Sequence, residues 1–268
     1  AQPSAAPGPT APASTATDAE IAAAARGDAD FALALYGKVK GDGNMMFSPA
    51  SARLALAMTY AGARGATAEQ MAKVLAIPNE PKVHDAFGAI AGQWQTWGAV
   101  KATKDPSGET QPFTLRVANR LFGQQGRAFV PAYLTLVQDR YRAPLEQVDF
   151  KAAPEPGRVH INQWVEDHTE KRIKDLLAPG TINASTRLVL VNALYFKADW
   201  LAKFTKGATK DAEFDSGAKA RVKVPMMSNT DYFKYVESAD AQVLEMGYRG
   251  APVAMTVVLP RAKDGLAK

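Results

Sequence analysis

Nine consecutive residues, Leu188 to Phe196, read LVLVNALYF, apolar at odd and even positions alike with one amide, Asn192, near their centre. A strand with one wet face alternates apolar and polar residues, and an amphipathic helix repeats its apolar positions at the helical period. This run does neither, so it predicts a central strand covered above and below, in a fold that layers other elements on both faces of a sheet. The run also stops far short of the roughly 20 apolar residues that cross a bilayer, and no membrane span is expected. An amide left unpaired in such a strand costs about 1–3 kcal/mol, so Asn192 needs hydrogen-bonding partners.

Composition agrees with a packed domain. Of 268 residues, 47% are hydrophobic and 22% charged, enough to bury a sizeable core within one large mixed domain. The net charge of +5 comes from 32 Lys and Arg scattered along the chain, without the dense basic run that nucleic-acid binding asks for. With no cysteine, disulfides, thiolate nucleophiles and thiolate metal ligands are excluded. His84, His160 and His168 lack a paired zinc spacing, and the last two read as helix-surface residues. No phosphate-binding or dinucleotide glycine pattern occurs, and no cofactor is expected.

The chain opens AQPSAAPGPTAPASTAT, without charge or bulky apolar residues, so residues 1–17 are expected to be a flexible leader before a folded domain over 18–268. It starts without Met and without an apolar signal core, as a mature exported protein would. The expected location is therefore extracellular or in the cell envelope.

Along the chain, Asp28 is placed to cap a helix carrying Phe31, Leu35 and Val39. Ser48 followed by Pro49 starts a second helix, whose Leu54, Leu56, Met58 and Tyr60 predict nearly complete burial. Gly62 and Gly65 end it, and Thr67 with Gln70 forms a capping-box pattern for a third helix. A fourth spans Val83 to Trp97. From Phe113 to Phe122 the pattern alternates, with Leu115, Val117, Asn119 and Leu121 on one face of a strand. A helix over Pro131 to Arg140 is followed by Val148 to Phe150, then an amphipathic helix over 159–172 bearing Ile161, Trp164, Val165 and His168. After the central strand come strand-like pieces at Arg221 to Pro225, Tyr232 to Val236, Gln242 to Tyr248 and Val253 to Pro260. Helices early and strands late argue for an α+β domain with more than one sheet.

Chemistry-bearing patterns are few. Ser216-Gly217-Ala218-Lys219 fits the S-x-x-K pattern of acyl-transfer enzymes, but its companion motifs are absent and it sits in a Gly-rich turn. Lys82, Lys101 and Lys104 are too few for a polyanion site. From the residues alone, Ser48 as a plain N-cap and Asn192 bonded to a local backbone group stand beside the alternative that both belong to one buried cluster.

Six stretches decide between these readings: MMFSPASARLALAMTYAGARGATAEQMAKVL, VANRLFGQ, INQWVEDHTEKRIKDLL, TRLVLVNALYFKADW, VKVPMM and LEMGYRGAPVAMTVVLP. In this order they resemble the serpins, and the resemblance covers about residues 28–268. It implies the N-terminal two-thirds or more of a serpin: an α+β fold of helices packed around three β-sheets, C-terminally incomplete here. It implies inhibition of serine proteases, or cysteine proteases, by a suicide-substrate mechanism in which a cleaved reactive-centre loop inserts as an extra strand. It does not imply an enzyme.

Ser48, Ser51 and Asn192 resemble the family's shutter, which governs sheet opening, and Trp200 its breach residue. Asn162, Trp164 and Thr169 lie on what resembles the helix crossing the sheet. The loop, its reactive bond and the last strands lie outside this sequence, so the C-terminal remainder, in the same chain or as a separate one, is an expected partner beside the target protease. The alternative implied is a serpin-fold carrier, chaperone or storage protein that does not inhibit.

Overall fold

The structure, a computed structural model, describes residues 14–41, 43–77, 82–101, 104–105, 108–109, 112–215, 221–262 and 265. The S-x-x-K pattern at Ser216 to Lys219 and the leader before residue 14 lie outside the described residues. In chain order the helices are α1 (Asp18–Val39), α2 (Pro49–Gly62), α3 (Gly65–Val74), α4 (Val83–Gly98), α5 (Pro131–Tyr141) and α6 (Pro154–His168). The strands are β1 (Lys104–Asp105), β2 (Gly108–Glu109), β3 (Thr114–Gln124), β4 (Leu145–Val148), β5 (Leu188–Lys197), β6 (Lys210–Asp215), β7 (Arg221–Met226), β8 (Lys234–Glu237), β9 (Ala241–Gly247) and β10 (Ala254–Pro260). The class is α+β, as the order of elements predicts.

The chain forms two units, one of the chain up to Thr96 with Leu115–Tyr195, the other of Trp97–Thr114 with the chain from Phe196 onward. In the first, β3 lies between β4 and β5, with β4 parallel to β3 and Leu121 opposite Leu145. Residues of α6 (Ile161, Val165) cluster with Phe122, Val148, Val189 and Val191, contributed by all three strands. On the opposite face, Val117, Leu121 and Leu190 join Phe31, Leu54, Met58, Phe87, Val137 and Tyr141 from α1, α2, α4 and α5. Adjacent residues of β5 thus enter different cores, which is why its sequence is apolar at every step. Within the described sheet, however, β5 is an outer strand and not the expected central one.

Several boundaries differ from expectation for local reasons. Asp28 does not cap a helix; α1 starts at Thr17, whose hydroxyl accepts from Glu20 N at 3.3 Å while the Glu20 carboxylate accepts from Thr17 N at 2.7 Å. Ser14 and Thr15, at the end of the expected leader, donate through their hydroxyls to Asp85. Asp28 sits mid-helix, its carboxylate 2.8 Å from Arg53 Nη1. Thr67 is inside α3, which begins at Gly65, where glycine adopts a φ of +56°. In α2, Leu54 and Met58 are buried but Leu56 is 41% exposed, so burial is less complete than predicted. The last helix of this unit, α6, ends at His168 and not near residue 172. There the Thr169 hydroxyl donates to Val165 O at 2.8 Å and accepts from Ile173 N at 3.2 Å, while Glu170 and Lys171 take φ values of +50° and +59°.

The second unit is built from antiparallel strands: β8, β9 and β10 in sequence order, the hairpin β6–β7, and the short pair β1–β2. The four expected late strands form within two residues of their predicted limits, with Tyr232 just outside β8. Strand β6, KDAEFD, was not predicted; it pairs with β7 while exposing most of its residues, so no burial pattern marks it.

Candidate functional site

Asn192 points from β5 toward the N-terminal end of α2. Ser51 Oγ donates to Asn192 Oδ1, and Asn192 Nδ2 donates to Asn119 Oδ1 on β3 at 2.6 Å. Asn119 Nδ2 in turn donates to Tyr141 O, at the end of α5, at 2.9 Å. Ser48 stands one link back, its Oγ accepting from Ser51 N at 3.3 Å as the N-cap of α2. The N-cap reading therefore describes Ser48, and the cluster reading describes Ser51 and Asn192. Both amides find the partners that their burial demands.

Asn119 is the member that sequence reasoning passed over. Its signal was present: it shares the buried face of β3 with Val117 and Leu121, an amide among apolar neighbours that needs partners as Asn192 does. Beyond Tyr141 the polar chain has a further branch, for the Tyr141 hydroxyl lies 2.5 Å from His84 Nδ1 on α4. Burial pushes the His84 imidazole down to about 4, against a smaller opposing pull from the Asp85 carboxylate, and pushes the Tyr141 phenol well above its ordinary range. Tyr141 and the neutral His84 imidazole thus share one hydrogen bond.

The three residues expected on the sheet-crossing helix lie together on α6 and its C-terminal cap. Asn162 Nδ2 donates to Leu177 O at 3.0 Å and Asn162 Oδ1 accepts from Leu177 N at 2.8 Å, so this amide ties down the segment that follows the helix. Arg158 Nη1 donates to the same Leu177 O at 2.6 Å. Trp164 stacks on His168 at 4.2 Å, meets Phe122 edge-on at 5.9 Å and lies under the Arg120 guanidinium. Thr169 caps the helix and is not part of it. These residues face the other side of the sheet from Ser51 and Asn192.

In the second unit, Trp200 stacks on Tyr248 at 4.6 Å with an interplanar angle of 15° and meets Phe204 edge-on. Tyr248 also contacts Phe196, which packs against Phe113. The backbone joins Trp200 to Tyr248 as an antiparallel bridge, with Leu201 N donating to Gly247 O at 2.8 Å. Trp200 is therefore half-buried in an aromatic cluster. No cluster of metal-ligating side chains occurs among the described residues, and no helix among them is long and apolar enough to cross a membrane.

Comparison with known proteins places this architecture. A leukocyte elastase inhibitor of Bos taurus is 40% identical over 220 residues, covering 81% of this chain and 55% of its own length. The Homo sapiens leukocyte elastase inhibitor is 39% identical with the same coverage. The chain thus spans about half the length of the curated relatives it matches. Among solved structures, ovalbumin from emu superposes with a TM-score of 0.81 at 27% identity, over 91% of this chain and 65% of its own. A cleaved serpin 42Da superposes with a TM-score of 0.79 at 30% identity, over 92% and 64%. The family model for serpins, serine protease inhibitors, matches residues 26–268. With the layered sheet, the polar cluster beneath it and these matches in agreement, the chain belongs to the serpin family.

Proposed function

We propose that this chain is the larger part of a serine protease inhibitor that traps its target by inserting a cleaved loop into the sheet formed by β3, β4 and β5. The observation that carries this reading is the hydrogen-bonded series from Ser51 through Asn192 to Asn119. Those bonds join a helix to two neighbouring strands by side-chain amides and a hydroxyl, groups that exchange partners at small net cost, whereas parting an apolar seam exposes buried surface to water. Strand β5, outermost in the described sheet, offers the backbone edge beside which a further strand adds.

In this reading Ser48, Ser51 and Asn192 govern sheet opening, Trp200 marks the end at which insertion begins, and Asn162, Trp164 and Thr169 hold the helix that insertion must pass. The target is a serine protease, and the names of the relatives make an elastase-like enzyme the first to assay.

The test is a denaturing gel of the complete protein after incubation with elastase-like, chymotrypsin-like and trypsin-like proteases. A heat-stable band at the summed mass with one of them is the expected result. Simple cleavage by all three overturns inhibition and leaves a carrier, chaperone or storage role.

A further inference from the structure

The polar series under the sheet does not stop at Asn119. Its last amide bond falls on the Tyr141 carbonyl, and the side chain of the same residue is held by His84. We propose that His84 is a positioning residue of the shutter, holding Asn192 in place through Tyr141 and Asn119, and that its imidazole makes sheet opening sensitive to acid. The proposal rests on Asn192 governing that opening.

The geometry supplies the path. Tyr141 is buried at the end of α5, just before Arg142 turns into the left-handed region with a φ of +52°. Its hydroxyl shares a hydrogen bond with His84 Nδ1 at 2.5 Å. Its carbonyl is the acceptor for Asn119 Nδ2. Asn119 Oδ1 then holds Asn192 Nδ2, leaving Asn192 Oδ1 for Ser51. Each link is a hydrogen bond, and Tyr141 is the residue through which His84 meets the two amides.

The surroundings of His84 decide what a proton does there. From α2, the Tyr60 ring lies 5.7 Å away, and from α5 the Tyr141 ring meets it edge-on at 5.8 Å. On its own helix Asp85 is the neighbouring anion, but Arg140 Nε of α5 lies 2.5 Å from that carboxylate, and Thr15 donates to it. Arg53 of α2 and Tyr133 of α5 act on Tyr141 from further off. The ring therefore faces phenols and the Asp85 carboxylate, whose pull on an imidazolium is shared with Arg140 and is outweighed by burial. Protonation also turns both ring nitrogens into donors, which redraws the bond to the Tyr141 hydroxyl. The charged ring moves toward water, Tyr141 loses its tie, and the amides under β5 lose their anchor.

The experiment uses the complete protein and its H84Q variant. Glutamine is neutral at all relevant pH values and retains an acceptor oxygen. Histidine ring protons are followed by NMR between pH 3 and 8, His84 being the signal absent from H84Q, while hydrogen exchange of the β5 amides is read at each pH. The expected result is a His84 midpoint near 4, with β5 protection lost at the same midpoint in the wild type and retained to lower pH in H84Q. Superimposable acid profiles of the two proteins overturn the proposal, as does a His84 titration that leaves β5 exchange unchanged. Should H84Q fail to fold, the wild-type titration and exchange decide alone. Neither readout involves a protease, so a protein that shows the acid step yet traps no protease refutes the inhibitor reading only.

Discussion

Asn192 Nδ2 donates to Asn119 Oδ1 at 2.6 Å, an amide-to-amide bond between neighbouring strands of one sheet. Side chains of adjacent strands touch in every sheet, but here the contact is polar on a face that otherwise buries Val117, Leu121 and Leu190. A leucine at either position would pack without needing partners. Two amides there join the strands by a bond between side chains as well as by packing.

Replacing Asn192 by Leu takes the partner from the half-buried Ser51 hydroxyl and from Asn119 Oδ1, while Asn119 Nδ2 keeps Tyr141 O, and a buried group left unpaired costs about 1–3 kcal/mol. In the complete protein, covalent complex formation is expected to fall or polymers to rise on a native gel, while the far-ultraviolet helix signal stays unchanged. Normal complex formation by this variant would remove Asn192 from any role in sheet opening.

Arg53 is fully buried on α2 and donates to Leu75 O, Ala24 O, Ala76 O and the Asp28 carboxylate, with its guanidinium 4.9 Å over Phe87. An R53M variant strands those acceptors and the half of an ion pair, at about 3–5 kcal/mol. R53K is expected to recover little, because an ammonium cannot span acceptors on two sides as the guanidinium fork does. Denaturant titration of the three proteins measures both effects.

Two glycines of α1 should respond with opposite signs. A Cβ on Gly27 would lie 2.2 Å from Arg53 Nη2 and 2.6 Å from Ala76 O, whereas one on Gly37 meets nothing within 4 Å. G27A is expected to destabilise by about 1–3 kcal/mol through overpacking, and G37A to stabilise by roughly 0.5–1 kcal/mol through helix propensity. Thermal melts of the two variants should move in opposite directions.

The titration of His84 sets a pH window for stability. Its folded value near 4 lies below the ordinary 6.5, so between those values the unfolded chain binds the proton and the folded one does not. The contribution is complete above about pH 6.5 and is lost as pH falls toward 4, amounting to on the order of 3 kcal/mol. The difference in unfolding free energy between wild type and H84Q, measured from pH 7 down to 4, should shrink by about that amount.

How much of this was legible in the sequence depended on whether the determining contact was local. Ser48 and Pro49 announced the start of α2 because an N-cap acts within a turn, and LVLVNALYF announced a strand between two cores because both faces are written into it. The start of α1 was misplaced although Thr17 and Glu20 spell a capping box, since the Ala-rich turns that follow carry no apolar stripe. The EKRI segment continues the helical pattern of α6, yet the chain leaves the helix because the Thr169 hydroxyl takes the place of the next turn. Of the polar cluster, Asn192 stood out against its neighbours, but its bond to Asn119 joins positions 73 residues apart, and no spacing rule reaches that far.

The double bond of Asn162 to Leu177, reinforced by Arg158, has a mechanical corollary. A helix fastened at its middle to the chain that leaves it cannot peel off the sheet as a free rod. Lifting α6 means lifting the loop through Leu177 with it, so the two form a single flap whose amides exchange with one common opening energy. The ties at Leu177 are then the one latch whose release parts the helix from the loop.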